Sequence, residues 1–246
     1  MKKLSIVIPA YNEAKTIRRL VERIFTVAFP IDIEVIVVDD HSKDRTLRIM
    51  KILEKHDLSD RIKLFHNDRN RGKGFSIRRG FEHVTGDLVV VQDADFEYDP
   101  HEIPRLMEPV LRGEVDVVYG SRFLNRRRPE GMALPNWVAN VFLTGLTNLL
   151  YGGTLTDMET CYKLFRAELV RDLPLEAERF DFEPEITTEL LKRGVKIKEL
   201  PIKYRGRTAE EGKKIKARDF FIAVWVLVRL RFRSPRGMKV SRTHVR

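Results

Sequence analysis

Five short runs of Val, Ile and Leu punctuate the first 120 residues, and the stretches between them carry helical spacing. Leu4–Pro9, Glu34–Val38, Ile62–Phe65, Leu88–Val91 and Val115–Tyr119 read as strands. Several are nearly continuous in apolar residues, the pattern of strands covered on both faces. Ile17, Leu20, Val21, Ile24 and Phe25 fall at the spacing of a buried helix face, and Ile103, Leu106, Met107, Val110 and Leu111 repeat it. Pro100 suits an early helix position, and Ser42 or Asp44 is expected to cap the helix after the second strand. Such alternation predicts an α/β fold, a mostly parallel sheet flanked by helices. Four runs end in polar clusters: Ala10-Tyr11-Asn12-Glu13, Asp39-Asp40-His41-Ser42, Gln92-Asp93-Ala94-Asp95 and Gly120-Ser121-Arg122. The carboxyl ends of parallel strands gather along one edge, where ligands bind, so the four clusters predict one site.

The pattern changes after Arg122. Asn125–Gly131 is a basic loop, and Leu134–Leu150 is apolar but interrupted by Pro135, Asn136, Asn140 and Asn148. That stretch reads as a helix, either buried or lying at a membrane interface, because a span needs about 20 predominantly apolar residues. Phe182–Arg193 reads as a helix, and Val195–Tyr204 as a strand with a slip near Glu199. Phe220–Val228 is strongly apolar, too short to span, and ends at Arg229 and Arg231, which suits an interfacial helix with a basic tail. Charge supports that division: residues 1–212 hold 35 Lys/Arg and 35 Asp/Glu, whereas residues 213–246 hold 11 Lys/Arg and only Asp219. The whole excess of +10 therefore lies in the tail, which calls for an anionic partner. We expect a body of residues 1–212, divided near 122, and a membrane-surface tail of residues 213–246. The single cysteine, Cys161, fits a reducing, cytoplasmic setting.

Asp93, Asp95 and Glu97 are the sharpest chemical feature. In an extended segment their side chains point the same way, and three converging carboxylates repel unless a cation sits among them. Oxygen-only ligands suit Mg²⁺ or Mn²⁺. Asp39 and Asp40 are placed to accept hydrogen bonds from a base or ribose, or to cap a helix. Tyr11 and Glu13 are placed beside the same nucleotide, with first-turn helix chemistry as the other reading of Glu13. No G-x-G-x-x-G follows the first strand, and Arg71-Gly72-Lys73-Gly74 is not a phosphate-binding loop of the Walker type. Lys73 reads equally as a phosphate or base contact and as a surface lysine. The six histidines are scattered, which argues against zinc.

Ile6-Val7-Ile8-Pro9-Ala10-Tyr11-Asn12-Glu13, Val37-Val38-Asp39-Asp40-His41-Ser42-Lys43-Asp44-Arg45-Thr46 and Gln92-Asp93-Ala94-Asp95 together resemble family 2 glycosyltransferases of the GT-A fold. Asp157-Met158-Glu159-Thr160-Cys161-Tyr162-Lys163 and Gly206-Arg207-Thr208-Ala209-Glu210-Glu211-Gly212-Lys213-Lys214 are similar to the dolichol-phosphate mannose synthase and polyprenyl-phosphate glycosyltransferase branch. The resemblance runs from about Leu4 to Trp225. It implies a GT-A, Rossmann-like domain that transfers mannose or glucose, with inversion, from a GDP- or UDP-hexose to dolichyl or polyprenyl phosphate. Pro9, Tyr11, Glu13, Val38 and Asp40 are implied to contact the nucleotide, with Asp39 nearby. Asp93 and Asp95, beside Ala94, are implied to bind the metal, helped by Glu97. Arg122 and Arg207, with Lys213 or Lys214, are implied to hold phosphates. Asp157 is a candidate for orienting the acceptor or an arginine, with a structural cap as the other reading.

The expected partners are thus the donor, the lipid phosphate and an anionic membrane surface on the cytoplasmic side. Some relatives carry C-terminal transmembrane helices and this sequence shows none, so a membrane-anchoring protein joins the expected partners. Nucleic acid is not expected, because the tail's aromatic residues form an apolar block and not spaced stacking platforms. Three other readings stand beside this one: a family 2 enzyme with a non-lipid acceptor, a sugar nucleotidyltransferase, and a non-catalytic anion-binding module.

Overall fold

The computed structural model describes residues 2–55, 60–125, 128–206 and 217–233. Seven strands form one sheet: β1 (Lys3–Ala10), β2 (Asp32–Asp39), β3 (Ile62–His66), β4 (Leu88–Val91), β5 (Val117–Ser121), β6 (Lys163–Arg166) and β7 (Ile197–Pro201). Their order is β3-β2-β1-β4-β6-β5-β7. The sheet is mostly parallel, as expected, but β6 runs antiparallel to both β4 and β5. The apolar runs are continuous because β1, β2, β4 and β5 are covered on both faces; Ile6, Val7, Val35, Val37, Val90 and Val118 are wholly buried.

Among the described residues, eight α-helices connect and cover the strands: α1 (Ile17–Thr26), α2 (Thr46–Lys55), α3 (Lys73–Phe81), α4 (Ile103–Leu111), α5 (Leu134–Tyr151), α6 (Ala167–Arg171), α7 (Phe182–Lys192) and α8 (Ala217–Phe232). Asp44, not Ser42, serves the start of α2: its Oδ1 accepts from Thr46 N at 2.9 Å. Pro100 opens a short 3-10 turn that leads into α4. α3 packs on β1 and β2 so closely that a Cβ on Gly80 would lie 2.4 Å from Val7 Cγ1.

Strand register decides what reaches the rim. Ala10 pairs with Asp39, so β1 and β2 end level, while β4 ends opposite Val7 and its Gln92 N donates to Val7 O at 2.9 Å, which sets the chain after β4 beside the last residues of β1. β7 pairs with β5 up to Ser121↔Pro201, which brings residues 202–206 to the same edge. The reversed strand adds a further segment. Because β6 runs backwards, the loop before it, Asp157–Tyr162, arrives at the edge where the parallel strands end. Sequence patterning missed β6, which is only four residues long and opens with a lysine, and it placed the start of β5 at Val115 where the strand begins at Val117.

The apolar part of the expected tail is folded into the body. α8 packs on α5 and α7 through the buried Ala223, Val226, Leu227 and Leu230. Lys192 Nζ donates to Leu230 O at 2.7 Å, a cation at the carbonyl end of α8. α5 buries Leu143, Thr144 and Thr147 and turns other apolar residues outward, so it is neither a core helix nor a polar surface one. No described helix is long and apolar enough to cross a membrane.

Gly80 fixes the seat of α3 on the sheet, so Gly80→Ala is expected to lower stability by about 1–3 kcal/mol, the usual cost of overpacking a tight core. Chemical denaturation of the two proteins measures it.

Candidate active site

The loops after β1 and β2 are laced together. Asn12, in the left-handed region at φ 53°, donates its N–H to Ser42 Oγ at 2.9 Å, and its Oδ1 accepts from Lys43 N at 2.8 Å. Glu13 is buried; its Oε2 accepts from Thr16 Oγ1 at 2.8 Å, and its carbonyl oxygen accepts from Thr16 N and Ile17 N at the start of α1. Tyr11 and Pro9 are half-buried at the rim. Val38 lies wholly buried under the Gly80 contact, leaving only backbone toward a ligand.

The two neighbouring aspartates have different surroundings. Asp40 Oδ1 accepts from Asn67 Nδ2 and Arg71 N, each at 2.8 Å, and Oδ2 accepts from Gly72 N at 2.7 Å. It ties the chain before α3 to the rim, and both of its oxygens are engaged. Asp39 Oδ2 accepts from Ser42 N at 3.1 Å and pairs with His66 Nδ1 at 2.8 Å. Its Oδ1 is buried with no hydrogen-bond partner among the described residues. Buried carboxylate oxygens are rarely left so, and an N–H donor from a ligand suits this one. Both aspartates are expected at the nucleotide; the oxygens of Asp40 are engaged within the protein, and Asp39 Oδ1 is not engaged among the described residues.

The acidic trio is not assembled as extended-chain spacing predicts. Residues 94–97 bend. Asp93 Oδ1 pairs with Lys73 Nζ at 2.8 Å, while Asp95, only 5% exposed, accepts from Glu97 N at 2.9 Å. Glu97 Oε2 accepts from Tyr204 OH at 3.2 Å. Among the described residues, no three acidic, His or Cys side chains are grouped to hold a metal. Mg²⁺ and Mn²⁺ do not need such a cage, since they are commonly held by one or two carboxylates plus substrate phosphates. Asp95 and Glu97, hard oxygen donors on one bend, fit a cation shared with a diphosphate.

Lys73 is no surface lysine. Its ammonium also lies 2.9 Å from Glu183 Oε1, in the first turn of α7. Burial favours the neutral amine, but the Asp93 and Glu183 carboxylates outweigh it and hold its pKa well above the ordinary value.

On the other side of the rim Arg122 is buried against Asp157. Its Nε and Nη2 donate to the two carboxylate oxygens at 2.7 Å each, and Nη2 also reaches Asn140 Oδ1 on α5 at 2.9 Å. Burial opposes the charge, and Asp157 more than restores it, so the Arg122 pKa is raised. Asp157 therefore orients an arginine, one of the roles expected of it. Glu199 on β7 holds the loop in turn, accepting from Thr156 N at 2.7 Å and Asp157 N at 2.9 Å.

Beneath this loop Lys163 is fully buried, donating to Met158 O at 2.7 Å and to Thr160 O, 4.6 Å from the Tyr119 ring centroid. Burial pushes the Lys163 pKa down and that of its neighbour Glu159 up. Arg128 of the basic loop is exposed, whereas Arg126, Arg127, Arg207, Lys213 and Lys214 lie outside the described residues.

Sequence patterning gave no site role to Glu183, Glu199, Lys163, Tyr204 or Asn140, which lie at or beneath this rim. Asn140 stood out only as a polar break in an apolar helix, Glu199 as a slip in a strand and Lys163 as the end of the Asp157–Lys163 run. Strand order and register bring them together.

Residues 5–173 match the family model described as glycosyl transferase family 2. A glycosyltransferase named AglD of Haloferax volcanii is 32% identical over 208 residues, covering 81% of this chain and 32% of that protein. Dodecaprenyl-phosphate galacturonate synthase of Rhizobium johnstonii is 31% identical over 74% of this chain and 53% of its own length. Dolichol-phosphate mannosyltransferase of Pyrococcus furiosus is 29% identical over 87% and 60%. The chain thus spans about a third to three-fifths of these relatives. Among solved structures, glucosyl-3-phosphoglycerate synthase of Mycobacterium tuberculosis in complex with UDP superposes with a TM-score of 0.70 at 20% identity, covering 94% of this chain and 80% of that one. That likeness shows the fold, which is GT-A.

The Arg122–Asp157 pair predicts its own cost. Asp157→Ala leaves a buried guanidinium unpaired and is expected to remove about 3–5 kcal/mol of stability, read by denaturant unfolding.

Proposed function

The chain belongs to glycosyl transferase family 2, and on that premise we propose that it transfers a hexose from GDP- or UDP-hexose to dolichyl or polyprenyl phosphate. The observation that carries this is the bond between Arg122 at the rim and Asn140 on α5, at 2.9 Å. It joins a charged transfer site to a helix whose outer face is apolar. The relatives named for dodecaprenyl-phosphate galacturonate and dolichol-phosphate mannose transfer support the same acceptor class.

The chemistry follows from charge. A phosphate monoester has a second pKa near ~6 and is a ready nucleophile at neutral pH, so little is asked of a general base. The site must instead bring two anions together and stabilise the diphosphate as it leaves. A divalent cation at Asp95 and Glu97 supplies Lewis-acid stabilisation of that leaving group when bound. Asp39 accepts from the base through Oδ1, the buried oxygen with no partner among the described residues, and Tyr11 lies against the nucleotide. Arg122, locked in orientation by Asp157 and Asn140, turns its positive field to the acceptor phosphate. Arg128, exposed on the loop after β5, is a further cation for that phosphate. In-line attack inverts the anomeric carbon.

The lipid side is read from α5 and α8. Leu134, Val138, Val141, Phe142 and Leu149 on α5, and Phe221, Trp225, Val228 and Phe232 on α8, are exposed, Leu149 by 81% and Phe232 by 85%. Phe142 and Phe220 pack 5.7 Å apart and join the two helices into one surface. An apolar face of this kind marks an interaction site, and the basic excess beyond residue 212 suits it to anionic headgroups on the cytoplasmic side of a membrane. A membrane-anchoring protein fits beside it as a further partner.

Radiolabelled sugar from a panel of GDP- and UDP-hexoses is expected to enter extractable polyprenyl phosphate with Mg²⁺ or Mn²⁺. Asp95→Asn is expected to abolish that transfer, and full activity in this variant rejects the metal assignment. Phe221→Asp combined with Trp225→Asp is expected to weaken binding to phosphatidylglycerol liposomes roughly 10-fold or more, since each buried large apolar side chain contributes about 1.5–3 kcal/mol. Flotation assays measure it.

A further inference from the structure

One side chain touches both sides of the rim. Tyr204 follows β7, and its hydroxyl donates to Glu97 Oε2 on the acidic bend at 3.2 Å. The centre of its ring lies 5.1 Å from Arg122 Cζ, within the range of a cation–π contact. Phe123 lies 5.5 Å from the same carbon, but it belongs to the segment that carries Arg122, whereas Tyr204 arrives from another strand.

The chain holds this residue on both flanks. Ile202 N donates to Ser121 O at 2.9 Å, which continues the pairing of β7 with β5, and Arg205 N donates to Glu97 O at 3.1 Å. Tyr204 also forms an antiparallel bridge with Tyr98, and the two rings meet edge to face at 5.3 Å and 66°. Tyr98 is buried, and its hydroxyl accepts from Cys161 N at 3.2 Å, in the loop that carries Asp157. Two residues on, a Cβ on Gly206 would stand 2.7 Å from Gly131 O, so the backbones of the two segments touch. Burial, and then the Glu97 carboxylate, raise the Tyr204 pKa, so the phenol keeps the proton that it donates.

We propose that Tyr204 is a positioning residue that sets the acceptor arginine and the acidic bend at a fixed separation, its ring carrying the Arg122 guanidinium and its hydroxyl orienting Glu97. This rests on the transferase reading of the rim. Asp157 and Asn140 take Arg122 Nε and Nη2 and fix the guanidinium within its own plane, so Nη1 is the end that remains for a phosphate. Those in-plane bonds leave the tilt of the plane free, and a ring against its face restrains it. The phenol carries the same register to the carboxylate offered to a cation. In-line transfer needs the acceptor phosphate and the departing diphosphate held in one alignment, and a single rigid ring links the groups that hold them.

Two binding measurements on the full chain separate the two contacts: calorimetry with farnesyl phosphate, and electron paramagnetic resonance of free Mn²⁺ in the presence of UDP or GDP. Tyr204→Phe keeps the ring and removes the hydroxyl. It is expected to bind farnesyl phosphate as wild type does and to hold Mn²⁺ about 10-fold less tightly, as fits loss of a hydrogen-bond partner of a ligating side chain. Tyr204→Leu removes both contacts and is expected to bind farnesyl phosphate about 10-fold more weakly as well, as fits loss of a cation–π contact away from bulk water. Equal Mn²⁺ retention in Tyr204→Phe and wild type overturns the inference, whether or not Tyr204→Leu folds. So does a folded Tyr204→Leu protein that binds farnesyl phosphate as tightly as wild type, or a Tyr204→Phe protein that loses as much of that affinity as Tyr204→Leu. If wild type still transfers sugar to polyprenyl phosphate, the transferase reading survives those failures. A wild type that binds no farnesyl phosphate, or holds no Mn²⁺ with either nucleotide, overturns both.

Discussion

Charge taken out of water must find a partner, because an unpaired buried ion costs several kcal/mol. The rim of this sheet is organised around that constraint. Asp93, Lys73 and Glu183 form one pairing, Arg122 and Asp157 another, and Lys163 lies beneath the loop between them with its ammonium on two carbonyls. Each pairing joins elements far apart in sequence: α3 to β4 and α7 in the first case, the end of β5 to the loop before β6 in the second. The same contacts that neutralise the rim hold the two halves of the site in register.

This explains why the reversed strand matters. A fully parallel sheet would deliver only the loops that follow its strands. By running β6 backwards between β4 and β5, the chain sets Asp157 against Arg122 and brings Glu159 and Lys163 beneath the same edge. Glu199 on β7 then ties the loop to the sheet through two backbone N–H groups. The acceptor side is therefore rigid where it meets the donor side, and it turns apolar where α5 leaves the rim. Asn140 faces the site from α5 while Val138, Val141 and Phe142 face outward, so one helix serves both chemistries.

Much of this was legible in the sequence. Continuous apolar runs identified β1 to β5 because strands covered on both faces admit few polar residues, and the polar clusters marked the rim because register brings those ends to one edge. What was hidden depended on contacts between distant segments. Asp39 and Asp40 are equivalent in a sequence. Only the fold shows that the backbone N–H groups of Arg71 and Gly72 satisfy Asp40, while one oxygen of Asp39 is buried with no hydrogen-bond partner among the described residues. The alternation expected of Asp93, Asp95 and Glu97 fails because the chain bends there, with Ala94 O accepting from Thr16 Oγ1 at 2.8 Å. Glu183 resembles any acid in a first helical turn, and nothing local in the sequence announces that Lys73 will meet it.

The central claim is that the rim between Asp39 and Glu97 receives a nucleoside diphosphate with a divalent cation at its acidic bend. A crystal structure with donor nucleotide and Mn²⁺ tests it most directly. A base donor hydrogen-bonded to Asp39 Oδ1, with the metal held by Asp95 or Glu97, is the expected result. A nucleotide bound away from this edge, or a metal bound with no contact to either carboxylate, would contradict it.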